Sequence, residues 1–557
     1  MTLVDARPVA CNFESTKERI NRIRLLFGTP SVSCGVLHQG EVIFRHAEGL
    51  ADIESGLVPD ADTVYLIASC SKAFASATCA VLEAQGKIEW NSPVSSYLED
   101  FLTPSDPEVG RRATVQDLCS HSTGLAPVDH AVMGFHDEYY NKGKDQVKIS
   151  SHLPVAYDFR SKWLYNNCMY GVIGEVIAKV SGTSAGQAMK ERIFVPLSMD
   201  RTCTSQAEYV DKNVAKGYTI LQNGTPVDLG DPKLEDGDIQ GAAGFVRSSV
   251  NDMLKWAKEV MEAEEETKSG IRPSKLPGID FTRCSHRPMT LENGLGENSY
   301  GFGWFRHTLP SKWLSSIGPN FALLQDPPVI GQYSRPILTL AHWGEFQGFL
   351  TSFYTFPETK SAIIVMANSS PTRGDPSDLI AQTLCQELFD MKPRVALEDY
   401  AQRASQMANR IWPFLVEEWV TGRVQNTPIR PPAEYIGIFR NQGFMLDIDV
   451  YELDNKDCGE GENPELLGFT VNGIERQSAK LRHYHYDVWT FLPDSRDDAT
   501  RKGMELYMKL PLVLLSFLRD DRGKVNALEW DLQAGVCEGP APGLETAVSS
   551  IRFDLVQ

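Results

Sequence analysis

Residues 424–434 read VQNTPIRPPAE, and the prolines at 428, 431 and 432 divide the chain into two stretches of different texture. Proline lacks a backbone N–H and fixes its own φ, so such a cluster stops helices, interrupts strands and leaves an extended connector. Beyond it the chain reads as one strand after another. FMLDIDVY sets Phe444, Leu446, Ile448 and Val450 against Met445, Asp447, Asp449 and Tyr451. HYHYDVWTF alternates in the same way, VLLSFLRDDRGKVNALEWDL reads as two strands about an Asp-Arg-Gly turn, and SIRFDLV alternates again. A period of two with turn signals between the runs predicts an antiparallel barrel or sandwich. The expected organisation is therefore a first domain at 1–425, a linker at 426–432 and a β domain at 433–557. The 557 residues also exceed what one ordinary core holds.

The first stretch mixes helix and strand. SVSCGVL and EVIFRHAEG about His38-Gln39-Gly40 form an expected hairpin over 31–49. Helical patterns run from Ser69 to a glycine stop at Gly86, over 169–182, and through SSVNDMLKWAKEVMEAEEE, where Ser249 or Asn251 caps the start. The acidic tail of the last, Glu262 to Glu266, is read as a solvated face. TSFYTFP and SAIIVMAN flank Glu358-Thr359-Lys360 as a second hairpin, and a long helix covers roughly 397–420.

The formal charge of −19 argues against nucleic acid and anionic membrane as partners. No run of about 18 apolar residues predicts a membrane span. Met1 to Phe13 has no hydrophobic core of a secretory signal, and the eleven cysteines are scattered without a Cys-x-x-Cys pair. Both point to a cytoplasmic protein with reduced thiols. No cofactor or metal set is read from the sequence; His483 and His485 share a strand face but lack a third ligand.

Three motifs carry chemistry. Ser69-Cys70-Ser71-Lys72 opens a helix, which places the Lys72 amine one turn along on the face of the Ser69 hydroxyl. The unpaired N–H groups at a helix start also favour the negative charge of an attack on a carbonyl. The bland alternative is that Ser69 is only an N-cap. Tyr165-Asn166-Asn167 precedes another helix; a phenol beside an ammonium can have its pKa lowered and act as a base, and the Asn167 amide can hold the amine or a substrate amide. His342-Trp343-Gly344 lies on the strand PILTLAHWG. Gly344 permits close approach, and the Glu345 N–H is placed to complete an oxyanion hole with that of Ser69.

In this order the three motifs resemble the serine β-lactamase/penicillin-binding-protein superfamily, particularly its class C β-lactamase-like esterases, acyltransferases and D-aminopeptidases. TVQDLCSHSTGL at 114–125, GAAGFVRSSVNDMLKWA at 241–257 and SYGFGW at 299–304 resemble it too, so that the likeness spans roughly 15–392. It implies an α+β fold in which an antiparallel sheet is flanked by helices, followed by a lipocalin-like antiparallel barrel. It also implies acylation of Ser69, with Lys72 and Tyr165 shuttling protons and Asn167, His342, Gly344 and Glu345 binding substrate or its oxyanion. The expected partners are a small ester or amide and an acyl acceptor.

Three departures stand out. His342 replaces the lysine of a Lys-Thr-Gly motif, which favours an esterase, amidase or transacylase over antibiotic hydrolysis. Phe159-Arg160 stands where Pro-Gly is usual. From Phe305 to Ala341, including Trp313, Phe321 and Pro327-Pro328, the chain is longer than expected, either as a lid or as a surface excursion. A D-amino-acid-specific peptidase or amidase, with Glu345 meeting a substrate ammonium, stays open beside the leading reading. So does a noncatalytic, or non-acylating cyclase or isomerase, member of the same fold.

Overall fold

Every residue of SAIIVMA at 361–367 is buried, a pattern that only a strand covered on both faces can produce. The computed structural model describes residues 13–136, 138–271, 275–289, 298–312, 314, 318–454, 465–504, 509–532 and 550–556. Trp313 and the segment before Phe13, named above for the excursion and for the missing secretory signal, lie outside these.

The main sheet consists of β1 (Ser31–His38), β2 (Glu41–Gly49), β3 (Arg287–Pro288), β4 (Asn298–Tyr300), β5 (Phe305–Leu309), β6 (Ile337–Phe346), β7 (Phe349–Phe356) and β8 (Ser361–Ala367). Its order is β2-β1-β8-β7-β6-β5-β4-β3, and neighbours run antiparallel. Ala362, Ile364 and Met366 enter one core, while Ile363, Val365 and Ala367 enter the other. Helices α1 (Phe13–Phe27), α5 (Pro376–Leu388) and α6 (Leu397–Gly422) close the second face; α2 (Ser71–Ala84), α3 (Asn167–Ser181) and α4 (Val250–Lys268) belong to the first. Gly35 of β1 lets α4 press directly on the sheet: a Cβ there would lie 2.6 Å from Val250 Cγ1.

The expected hairpins at 31–49 and about 358–360 are both present, and Ser249 caps α4 by accepting from the Asp252 N–H at 3.3 Å. The acidic tail of α4 is a correction. Glu264 is buried and accepts from Arg283 Nε at 3.0 Å, because Arg283 is itself fully buried and needs a counter-charge. The stretch 305–341 does not form one excursion, since β5 sits inside the sheet. Its short helix Asn320–Leu323 is tied to the head of α5, where Asn320 Nδ2 donates to the Asp375 carbonyl and to Asp378 Oδ2.

The C-terminal strands close into an eight-stranded antiparallel barrel: β9 (Gly437–Asn441), β10 (Leu446–Glu452), β11 (Glu465–Val471), β12 (Ser478–His485), β13 (Val488–Thr490), β14 (Leu514–Arg519), β15 (Val525–Trp530) and β16 (Ile551–Val556). Pairing of Ile438 with Val556 joins the ends, which removes the exposed edges an open sheet would have. Phe444, Leu446, Ile448 and Val450 are buried, as their alternation predicts. HYHYDVWTF is not one strand. Tyr486 takes φ +46° and the chain reverses, so that Val488 pairs with His485. A local alternation of polar and apolar residues looks the same on either side of so tight a turn. Among the described residues no helix is long and apolar enough to cross a membrane.

Candidate active site

Ser69 sits in a single 3₁₀ turn, Ala68–Cys70, that leads into α2. Its neighbour Ala68 has φ +43°, a left-handed conformation that costs a side chain with a Cβ about 1–3 kcal/mol and persists only when its surroundings enforce it. They do so from two sides. The Ile67 N–H donates to the Val246 carbonyl at 2.9 Å and the Val246 N–H donates to Ser71 Oγ at 2.9 Å, stitching the turn to the GAAGFV segment. From the other side Gly344 of β6 presses on it: a Cβ at Gly344 would lie 2.2 Å from the Ile67 carbonyl oxygen and 3.2 Å from the Ser69 nitrogen. The pairing of β6 with β5 ends at Ala341–Phe305, and the Ser69 turn packs where β5 has left. Ser69 does not cap the helix, because the capping positions are Ile67 and Cys70 and neither makes a side-chain cap.

Its hydroxyl instead meets an amine. Lys72 is fully buried, and its Nζ donates to Ser69 Oγ at 2.9 Å and to the Ala243 carbonyl at 3.0 Å. Burial penalises the ammonium and pushes its pKa down to about 7, against the opposing pull of Asp129 and Cys70. A substantial fraction of this lysine is therefore a neutral amine near pH 7.

Tyr165 comes in from far along the chain, with Lys72 Nζ 4.8 Å from its ring centroid. Its hydroxyl is buried and makes no hydrogen bond of ordinary geometry, although Ser69 is close enough to favour the phenolate slightly. Desolvation outweighs that neighbour and holds the phenol above its usual pKa. The expectation of a lowered phenol pKa is thus reversed, whereas the neighbouring lysine is shifted toward its neutral form.

The two adjacent asparagines divide their work. Asn166 caps α3 by accepting from the Met169 N–H, donates to the Leu125 carbonyl and is fully buried. Asn167 Nδ2 donates to Asp129 Oδ2 at 2.9 Å, which fixes the amide so that Oδ1 is its free acceptor end. The other Asp129 oxygen accepts from Gln240 Nε2 at 2.8 Å.

His342 is fully buried with both ring nitrogens engaged: Nδ1 lies 2.6 Å from the Trp343 carbonyl and Nε2 3.1 Å from Tyr300 Oη. A carbonyl can only accept, so Nδ1 carries the hydrogen and Nε2 accepts from the tyrosine. Burial, reinforced by Lys72, lowers its pKa to about 3, so this position bears no charge where Lys-Thr-Gly would place a cation. Glu345 is half-buried and pairs across β7 with Leu350.

Several contributors carried no role in the sequence reading. The His121 ring packs at a tilt against Tyr165 and Tyr300, with centroids 4.5 and 4.9 Å away, and accepts the Asn166 N–H on Nδ1. Tyr170 lies 5.5 Å below Lys72 Nζ. His121, Ala243 and Tyr300 fall in the segments SHSTGL, GAAG and SYGFGW, so their neighbourhoods were visible although their functions were not. Asp129 gave no signal at all: a lone carboxylate in a loop is mute until Asn167 and Gln240 arrive beside it. Where Pro-Gly is usual, Arg160 takes the left-handed φ +60° and forks onto Asp117 at 2.6 and 2.7 Å. An ion pair here holds a conformation that glycine would adopt without help.

The chain is similar in sequence and fold to known proteins. The chain is 25% identical over 488 residues to "Unguisins hydrolase ungD" of Aspergillus violaceofuscus (strain CBS 115571), covering 81% of this chain and 78% of that one. It is 23% identical over 368 residues to "Beta-lactamase" of Escherichia coli (strain K12), covering 62% of this chain and 86% of that one. The octameric penicillin-binding protein homologue from Pyrococcus abyssi shares the fold, with a TM-score of 0.57, 19% identity, and coverage of 93% of this chain and 98% of that one. Residues 22–385, which hold the main sheet and all three motifs, match the family described as Beta-lactamase, and the chain belongs to that family.

Proposed function

We propose that the protein is a serine hydrolase acting through an acyl-serine intermediate on a small ester or amide. The observation that carries this reading is the 2.9 Å contact between Ser69 Oγ and a lysine whose ammonium burial disfavours. In the neutral amine the contact reverses, and the Ser69 hydroxyl donates to the Nζ lone pair. Oγ then attacks the substrate carbonyl while its proton passes to Lys72. The N–H groups of Ser69 and Glu345 receive the oxyanion, in an approach that Gly344 leaves open. The bond to the leaving group breaks, and the Tyr165 phenol passes that group a proton, recovered from the Lys72 ammonium against its ring. Water then attacks the acyl-serine, and the proton path runs in reverse.

Hydrolysis and transfer differ only in whether water or another acceptor reaches the acyl-serine. The similarity to a protein named a hydrolase of unguisins supports water as the acceptor. The neutral, committed His342 supports substrates without the carboxylate that a Lys-Thr-Gly lysine would attract.

Mass spectrometry after treatment with a fluorophosphonate tests the reading: wild type gains one adduct on Ser69, and Ser69→Ala gains none and loses turnover of p-nitrophenyl esters. Turnover of the natural substrate that survives Ser69→Ala, with no adduct on wild type, would leave a non-acylating member of the fold, and no turnover and no adduct in wild type would leave a noncatalytic one. Tyr165→Phe should lower kcat by about 10²–10⁴ and leave KM within a few fold, since a proton relay acts in the transition state. A change in KM alone would make Tyr165 a binding residue.

A further inference from the structure

The barrel does more than follow the catalytic domain. Phe135 of the first domain is buried among three barrel aromatics, with ring centroids 5.6 Å from Phe469, 5.1 Å from Phe491 and 5.7 Å from Trp530. Those three also pack on one another at 5.2–5.8 Å, so that Phe135 completes a four-ring cluster. The backbone on either side of it is held by turns at the same end of the barrel. The Phe135 N–H donates to Gln477 Oε1 at 3.2 Å, Gln477 Nε2 donates to the Glu138 carbonyl at 2.8 Å, and Arg476 Nε donates to the His136 carbonyl at 2.9 Å. Asn472 Nδ2 reaches the Tyr140 carbonyl at 3.1 Å, and Asn141 Nδ2 donates to the Phe444 carbonyl at 3.0 Å. Gly134 has φ +76°, and a Cβ there would lie 2.3 Å from Gln477 Nε2, so the fit depends on glycine at that point.

The segment gripped in this way borders the catalytic residues at both ends. Asp129, six residues before Phe135, holds the Asn167 amide and Gln240. Tyr139, four residues after it, stacks on Phe346 at the end of β6 at 6.3 Å and 16°, two residues beyond Gly344. The segment therefore reaches the α3 side of the site through Asp129 and the strand side through Tyr139.

We propose that the barrel is a specificity-determining part of the catalytic site: by seating Phe135 in its aromatic cluster it fixes the wall from Asp129 to Tyr139, against which a long acyl group is aligned. Phe135 and Gln477 are positioning residues, and they touch neither Ser69 nor Lys72. The proposal rests on the acyl-serine reading and deepens it. The closed barrel then serves as a receptor for a loop of its own chain, because the aromatic space at this end is taken by Phe135.

The test uses the full chain and compares second-order rates of Ser69 modification by methyl and decyl fluorophosphonates in wild type, Phe135→Ala and Gln477→Ala. A wall that aligns the long group predicts a decyl-to-methyl ratio lower on the order of tenfold in both variants, with the methyl rate kept within about twofold. Phe135→Leu, which keeps an apolar plug, restores most of the ratio. A ratio unchanged in the variants overturns the proposal. So do methyl and decyl rates that fall together, which is the mark of a general loosening. Should Phe135→Ala not fold, Gln477→Ala decides alone, since it removes two hydrogen bonds and leaves the four rings in place. Failure of either reagent to label wild-type Ser69 overturns the acyl-serine reading itself, and the barrel's role with it.

Discussion

Replacing Lys72 with methionine slows acylation of Ser69 by orders of magnitude and yields a protein that melts at a higher temperature than wild type at neutral pH. Both effects have one cause. Lys72 is enclosed on all sides, with the Tyr165 and Tyr170 rings against its amine and the neutral imidazoles of His121 and His342 nearby. Desolvation holds its folded pKa at about 7, whereas the same side chain in an unfolded chain has the ordinary lysine value of 10.5. Between these two pH values the unfolded state binds more protons than the folded one, so the lysine makes stability rise with pH across that window and costs stability below it. Methionine fills a similar volume without the penalty and removes the slope. The loss of a general base lowers acylation by about 10²–10⁴. In wild type the acylation rate rises as the ammonium loses its proton, with a limb near pH 7. Burst kinetics across pH, paired with thermal melts of both proteins, measure the two effects together. A limb that persists in Lys72→Met, or a variant that melts lower at pH 7 and keeps its burst, would place the base elsewhere.

The second large effect belongs to Gly344→Ala. The added methyl would meet the Ile67 carbonyl at 2.2 Å, and that carbonyl cannot retreat, since the Ile67 N–H is bonded to Val246 and Ala68 is already in a left-handed conformation. Strand β6 must then back away from the Ser69 turn. Overpacking of this kind costs about 1–3 kcal/mol. The larger consequence is for catalysis: the Ser69 and Glu345 N–H groups separate, and loss of one oxyanion donor typically lowers kcat by about 10²–10³. The expected result is a protein whose melting temperature falls by several degrees and whose kcat falls much further, with KM for a small ester little changed. A variant with wild-type kcat would show that β6 takes no part in holding the oxyanion.

Some elements could be read because their cause is local. The period-two runs of the second stretch, the Ser249 cap and the glycine-closed hairpin at 31–49 are all encoded within a few residues. Ser69 and Lys72 are one helical turn apart, so their meeting needs no tertiary information. HYHYDVWTF was misread because alternation does not reveal a reversal at Tyr486. Glu264 was misread because its partner, Arg283, is buried from another element, and burial is a property of the whole chain. The sign of the Tyr165 shift failed for a related reason: an ammonium neighbour can be guessed from a motif, but desolvation cannot.

By itself, then, the sequence determined the antiparallel character of the second stretch and the one-turn spacing that brings the Ser69 hydroxyl to the Lys72 amine. Only the tertiary structure decided that the lysine is dry enough to be a base at neutral pH and that His342 is committed inward. The seating of a loop of the catalytic domain within the barrel was settled in the same way. The physical reason is range: hydrogen-bonded periodicity is fixed by neighbours in sequence, whereas desolvation and close approach depend on residues hundreds of positions away that only folding brings together.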